Sequence, residues 1–162
     1  MCIRDRSPAL AASCKCAKPV RKAASKAGDL AYWQDTPEGC LALLILLDQY
    51  LCNAFRETRE MYRADTQALS VTCHAQQQGF IARVRPSLRL FMLLPFAHSE
   101  ALEDQDQSVA LHRRNLPSGL QRAKRHRDII AHFGRFPHRQ PVYDRALTPE
   151  ESQYLNTGGF QG

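Results

Sequence analysis

TPEGCLALLILLDQYLCNAF, residues 36–55, opens with the marks of a helix start and then loses its polar face. Thr36 is a helix-capping residue, Pro37 suits the first helical position because its missing N–H has no partner to lose there, and Glu38 complements the positive end of the helix dipole. The run CLALLILL that follows is apolar all round. A helix over 37–55 is therefore expected to be enclosed by its neighbours. The run stops at Asp48, far short of the roughly 20 apolar residues that cross a bilayer, so no membrane role is expected.

Outward from this segment the chain reads as helix throughout. TPEE at 148–151 repeats the capping device, with Glu151 at the third helical position to complete a capping box. Further helices are expected over 65–78, closed by Gly79; over 86–94, closed by Pro95; over 99–115, capped by Ser99; and over 118–133, closed by Gly134 in the left-handed conformation. No alternating β-branched run competes with them. The expected fold is all-α, with short connections that pair neighbouring helices as antiparallel hairpins and build a short superhelix.

The net charge of +6 is concentrated at one end: up to Ala27 seven Lys or Arg face Asp5 alone, whereas from Gly28 onward 15 basic residues face 15 acidic ones. A neutral folded part exerts no net pull on a phosphate backbone, so no nucleic-acid partner is expected. The opening MCIRDR reads as a translated sequencing-adapter scar. Residues 1–27 are taken as a non-native or disordered basic tail ahead of a single helical domain over 28–162, with no apolar core for a signal peptide. Of the six cysteines, Cys14 and Cys16 form a CxC in that tail, while Cys40, Cys52 and Cys73 take apolar helical positions, as in a reduced cytoplasmic protein. There is no CxxC, and neither a metal nor a cofactor is expected.

Polar residues gather at three places. Asp48 follows the apolar run on the stripe of Leu41, Leu44 and Ile45, where a lone carboxylate would be costly and needs a partner; Gln49 and Asn53 share the adjacent stripe, with Arg56 one turn on. In PFAHSEALEDQ, residues 95–105, His98 and Glu100 stand at a helix junction. The acids that follow complement a helix N-terminus, and Gln105 lies on an apolar stripe that requires an internal partner. In HRDIIAHFGRFPHRQ, residues 126–140, His126 shares the inner face with Ile130 and Phe133. His132, six residues from His126, turns outward to pair with Asp128. Beyond Gly134, the loop cations Arg135 and Arg139 with His138 can clamp a carboxylate or phosphate, or equally cover helix carbonyls.

TPEGCLALLILLDQYLCNAF, RLFMLLPFAHSEALEDQDQSVAL, HRDIIAHFGRFPHRQ and LTPEESQYLNTGGF, in this order, resemble the bacterial family catalogued as domain of unknown function 924, over roughly residues 28–160. The resemblance implies an all-α, tetratricopeptide-like superhelix and no particular activity. Onto the family pattern LLDQFPRN it places Asp48, Gln49 and Asn53, with Leu51 and Cys52 where the pattern has Pro and Arg. The helix is then expected to continue where relatives break, and Asp48 to lack a charged partner. The patterns PFxHSE and FGRFPHRN fall on Pro95 to Glu100 and on Phe133 to Arg139, with Gln140 for the final Asn. Relatives begin with an aromatic-rich helical segment, so a truncated copy with a partly uncovered core is expected.

Three functional readings stand. In the first, Asp48, Gln49, Asn53, His98, Glu100, His126, Arg135, His138 and Arg139 line one polar cleft of a cytoplasmic binding module for a small anion or a peptide end. In the second, a hydrolase-like enzyme uses His98 or His138 as base, oriented by Glu100 or Asp48, with Arg135 stabilising negative charge. In the third, the motifs only hold helices together.

Overall fold

The computed structural model describes residues 27–162, so the CxC cysteines and the rest of the basic leader lie outside the described residues. Among the described residues the chain is all-α and holds no strand. A 3₁₀ segment, Ala27–Asp35, leads into α1 (Pro37–Leu44), which passes through a π-helical stretch, Ile45–Tyr50, into the single turn α2 (Leu51–Ala54). There follow α3 (Asp65–Gln77), the short α4 (Phe80–Arg83), α5 (Arg89–His98), α6 (Leu102–Asn115), α7 (Leu120–Phe133) and α8 (Pro149–Asn156). No described helix is long and apolar enough to cross a membrane.

The punctuation follows the sequence closely. Thr36 Oγ1 accepts the Gly39 N–H at 3.1 Å, with Pro37 in the first turn of α1. At α8, Thr148 Oγ1 accepts the Glu151 N–H at 3.1 Å while the Glu151 carboxylate accepts the Thr148 N–H at 2.7 Å. This is the expected capping box. Gly79 and Gly134 end α3 and α7 at φ 68° and 69°, in the left-handed region that a side chain would strain. The helix over 37–55 continues to Ala54, with Leu51 buried, as expected from the absence of a proline there.

Three expectations are corrected. The enclosed helix is α5, not the one over 37–55: six consecutive residues, Met92, Leu93, Leu94, Pro95, Phe96 and Ala97, are buried. On the earlier helix Leu43, Leu44, Leu47 and Leu51 are buried, but Ile45 is 40% exposed. The wider π-helical turn rotates Asp48 onto the inner side with Leu44 and Leu47, so its stripe does not include Ile45. Second, Pro95 does not end α5, which runs on to His98. A proline removes the hydrogen bond to the carbonyl four residues before it and crowds that carbonyl, which costs one bond without barring the turn that follows, and here its ring is buried with the core. Third, Ser99 does not cap α6 directly. It accepts the Ala101 N–H at 3.2 Å and donates to Asp104 at 2.6 Å, and the helix begins only at Leu102. Glu100 is thereby left outside the helix.

Gln105 meets the need for an internal partner. Its Nε2 lies 3.2, 3.0 and 2.6 Å from the carbonyl oxygens of Phe96, Ala97 and Ser99, covering the C-terminal end of α5. Antiparallel pairing of α5 and α6 follows from this contact at one end and from the Arg89 donation to the Asn115 carbonyl at the other. For α6 and α7, the close approach of Gly119 to His112 and the Arg127–Asp106 bond at 2.9 Å fix the same sense. The main core joins residues of α1 to α5 with Leu111; a smaller cluster holds Ile129, Ile130 and Phe136, with Phe133, Tyr154 and Phe160 against it.

The centrality of α5 is measurable. Leu93→Ala is expected to lower the unfolding free energy by about 2–5 kcal/mol in urea titrations, the usual range for a buried leucine. Ile45→Ala, on the exposed side, is expected to change it by less than about 1 kcal/mol. Equal losses at the two positions would contradict the packing described.

Candidate functional site

Asp48 enters the site from the π-helical turn, a geometry that re-aims side chains and that recurs at functional positions. Its side chain is only 3% exposed. His98, at the last position of α5, donates from Nδ1 to Asp48 Oδ1 at 2.6 Å, and Gln49 donates from Nε2 to Oδ2. Burial pushes the Asp48 carboxyl up, but the charge and hydrogen bond of His98, the Gln49 bond and the charge of Arg139 outweigh it and hold the carboxyl below its ordinary value. The partner expected to be missing at residue 52 is thus supplied from α5 and from Arg139. Because Asp48 accepts at Nδ1, the His98 ring leaves Nε2 as its outward nitrogen; that atom has no partner among the described residues, and the side chain is 25% exposed.

Around this pair stand two more carboxylates and two guanidiniums. Asp65, in the first turn of α3, lies 3.5 Å from Arg139 Nη1. Burial raises its carboxyl to about 6; Arg139 and His98 oppose this, while Asp48 and Glu100 add to it. Freed from the helix, Glu100 accepts the Phe136 N–H at 2.9 Å and sits 3.5 Å from Arg145 Nη1. Arg139 is buried between the rings of Tyr62, 4.4 Å away, and Phe136, 4.9 Å away. Arg145 lies 4.6 Å over Tyr143, which stacks on Tyr62. Burial raises the Tyr62 hydroxyl to about 12, so it remains a neutral donor. Both guanidiniums keep buried donors without an acceptor among the described residues: Nε of Arg139, and Nε and Nη2 of Arg145. Such groups are rare in folded proteins and call for an explanation.

The other expected residues divide. His126 and His138 do lie within electrostatic reach of His98, whose charge lowers both. Burial brings His126 to about 4, and burial with the Arg139 charge brings His138 to about 3. Both rings pack on Phe136 and Phe160 and are neutral at pH 7, so neither adds positive charge to a clamp. Arg135 does not join: its Nε and Nη2 grip the Glu151 carboxylate at 2.7 and 2.9 Å, tying the loop to α8 and lowering Glu151 to about 2. Asn53 is exposed and bonded within its own helix to the Gln49 carbonyl and to Arg56. His132 bonds Glu150 at 2.7 Å, not Asp128, because α8 packs beside α7.

Asp65, Tyr62, Tyr143 and Arg145 are members that sequence reasoning missed. Tyr62, Tyr143 and Arg145 come from short segments with no periodic pattern, Asp65 reads as an ordinary helix-start acid, and their partners are distant in the chain. Concavity alone would point elsewhere: a groove of about 860 Å³ along α7 and α8, lined by Lys124, Ile129, Phe133 and Tyr154 among others, shares no residue with the cluster. Its charged groups do not include buried donors without acceptors, which is why the cluster around Asp48 and His98 is the stronger candidate.

Comparison with known proteins gives two matches. The model of a family described as bacterial protein of unknown function (DUF924) matches residues 5–159. A solved structure of a protein of unknown function from Agrobacterium tumefaciens is 37% identical, with a TM-score of 0.85 over 95% of this chain and 88% of that one. No curated protein matches the chain.

The Asp65 carboxyl has a definite pH signature. Its folded value of about 6 lies above the ordinary 3.8, so the folded state binds the proton more tightly. That contribution to stability is complete below the ordinary value and is lost as pH rises through about 6. Asp65→Asn, which cannot ionise, is expected to gain stability relative to the native protein between pH 4 and pH 7 in denaturant titrations. A difference independent of pH would contradict the burial assigned to this group.

Proposed function

The chain belongs to the bacterial DUF924 family, and from that premise we propose that it is a binding module for a small anion: a carboxylate, including that of a peptide end, or a phosphate. The observation that carries this reading is the Arg145 side chain, whose Nε and Nη2 donors have no acceptor among the described residues. Those two N–H groups point the same way and form the edge of a guanidinium that takes two oxygens at once. Arg135 gives the internal precedent, since the same edge of its side chain receives both oxygens of Glu151. The Arg145 side chain is 35% exposed while its Nε and Nη2 are themselves buried, so a ligand reaches that edge only as the neighbouring side chains part. Arg139, with its own donor lacking an acceptor, adds a second cation beside Asp65.

The buried carboxylates set what is bound. Asp48, Asp65 and Glu100 keep the cluster from being a general sink for negative charge, so selectivity depends on an oxygen pair that matches the Arg145 edge. Cys40 and Cys73 carry no disulfide, in keeping with a cytoplasmic setting.

Isothermal titration calorimetry with succinate and with inorganic phosphate tests the reading. One charge-assisted hydrogen bond contributes about 1.5–3 kcal/mol, so Arg145→Met is expected to weaken binding of at least one of the two anions by about 10–100-fold. No binding of either anion to the native protein at about 10 mM, near the weak end of metabolite affinities, would refute it. Equal affinity in the variant would do the same.

A further inference from the structure

We propose that the Asp48–His98 pair is a general base and that the site hydrolyses a carboxylic ester bearing a second, free carboxylate; this rests on the anion-binding reading. His98 is the base because of its geometry. Its Nδ1–H is held at 2.6 Å by a carboxylate that is itself buried, which orients the ring and stabilises the imidazolium that forms when Nε2 takes a proton. The neighbouring imidazoles do not compete: His126 Nδ1 bonds the Ala97 carbonyl, and His138 is packed into the aromatic cluster.

Charge selects the reacting centre. Asp48 bonds His98, and Asp48 and Glu100 both act on Asp65, so a dianionic phosphoryl group brought to this cluster is opposed by its carboxylates, whereas an ester carbonyl is uncharged. The ligand's own anion is held by Arg145, linked to this group through Glu100. In the reaction, a water oxygen bonds to the ester carbonyl carbon as its proton passes to His98 Nε2, and the carbonyl electron pair moves onto oxygen. The charge of Arg139, which reaches Asp48, offsets the developing negative charge. Collapse restores the carbonyl, breaks the bond to the alkoxide, and returns the proton from Nε2 to the alcohol. Ester and water give acid and alcohol, with the histidine regenerated.

The probe is the mono-p-nitrophenyl ester of succinic acid, hydrolysed by the full chain, with succinate binding measured in parallel. The native protein is expected to release nitrophenol with saturation kinetics and more slowly in deuterated water. His98→Gln is expected to lower kcat by about 100-fold or more while succinate affinity is kept. Asp48 is a positioning residue, and Asp48→Asn is expected to lower kcat with little change in KM. Succinate binding without ester turnover, turnover untouched by His98→Gln, or a native rate unchanged in deuterated water would overturn the catalytic inference and leave the binding reading standing. Failure to bind succinate or phosphate would overturn that reading, and the catalytic inference with it.

Discussion

A carboxylate that is 3% exposed needs a partner, and the hydrogen bond from His98 to Asp48 is the interaction on which the polar half of this protein depends. Removing a charged oxygen from water is costly unless the charge is paired and its lone pairs are occupied. Both oxygens of Asp48 are occupied, one by His98 and one by Gln49. The bond joins the π-helical turn of the first helix to the final residue of α5, two segments fifty positions apart. Gln105 covers the carbonyls at that same end of α5, so His98 leaves a terminus that is already held in place. The late start of α6 then releases Glu100 toward the Phe136 N–H, and the 133–140 loop is drawn into the same neighbourhood.

What could be read from the sequence divides along physical lines. The caps at Thr36 and Thr148 and the glycines at 79 and 134 act through residues three or four positions away, so their signals are local. Burial is not local. CLALLILL and the LFMLLPF that follows Arg89 are both apolar throughout, and only packing decides that the second is enclosed while Ile45 of the first meets solvent. Pro95 reads as a helix end because a proline forfeits the bond to the carbonyl four residues before it, a loss that the packing of α5 tolerates.

The site follows the same division. Asp48, His98, Glu100 and Arg139 stand out by their polar character beside apolar helices; Asp48 and His98 bond directly, while Arg139 and Glu100 reach them electrostatically through Asp48 and Asp65. Arg135 and Asn53 carried the same marks but have nearby partners, Glu151 and the Gln49 carbonyl, that absorb them. Asp65 and Arg145 had no distinguishing pattern: Asp65 reads as an ordinary helix-start acid, and Arg145 as a loop cation. Their importance comes from contacts across the fold, as with Arg59 and Asp144, which pair across 85 positions of chain. The similarity to the Agrobacterium tumefaciens structure supports the fold in which these contacts arise.

The state of His98 is the point at which fold and chemistry meet. Nitrogen NMR of the histidine side chains in the full chain, at a pH where the ring is neutral, reports which nitrogen carries the proton. The structure requires the Nδ1–H tautomer, with Nε2 unprotonated and facing outward, and requires Asp48→Asn to disturb that preference. A His98 ring that is mainly the Nε2–H tautomer, or that exchanges freely between the two and is indifferent to residue 48, would contradict the account.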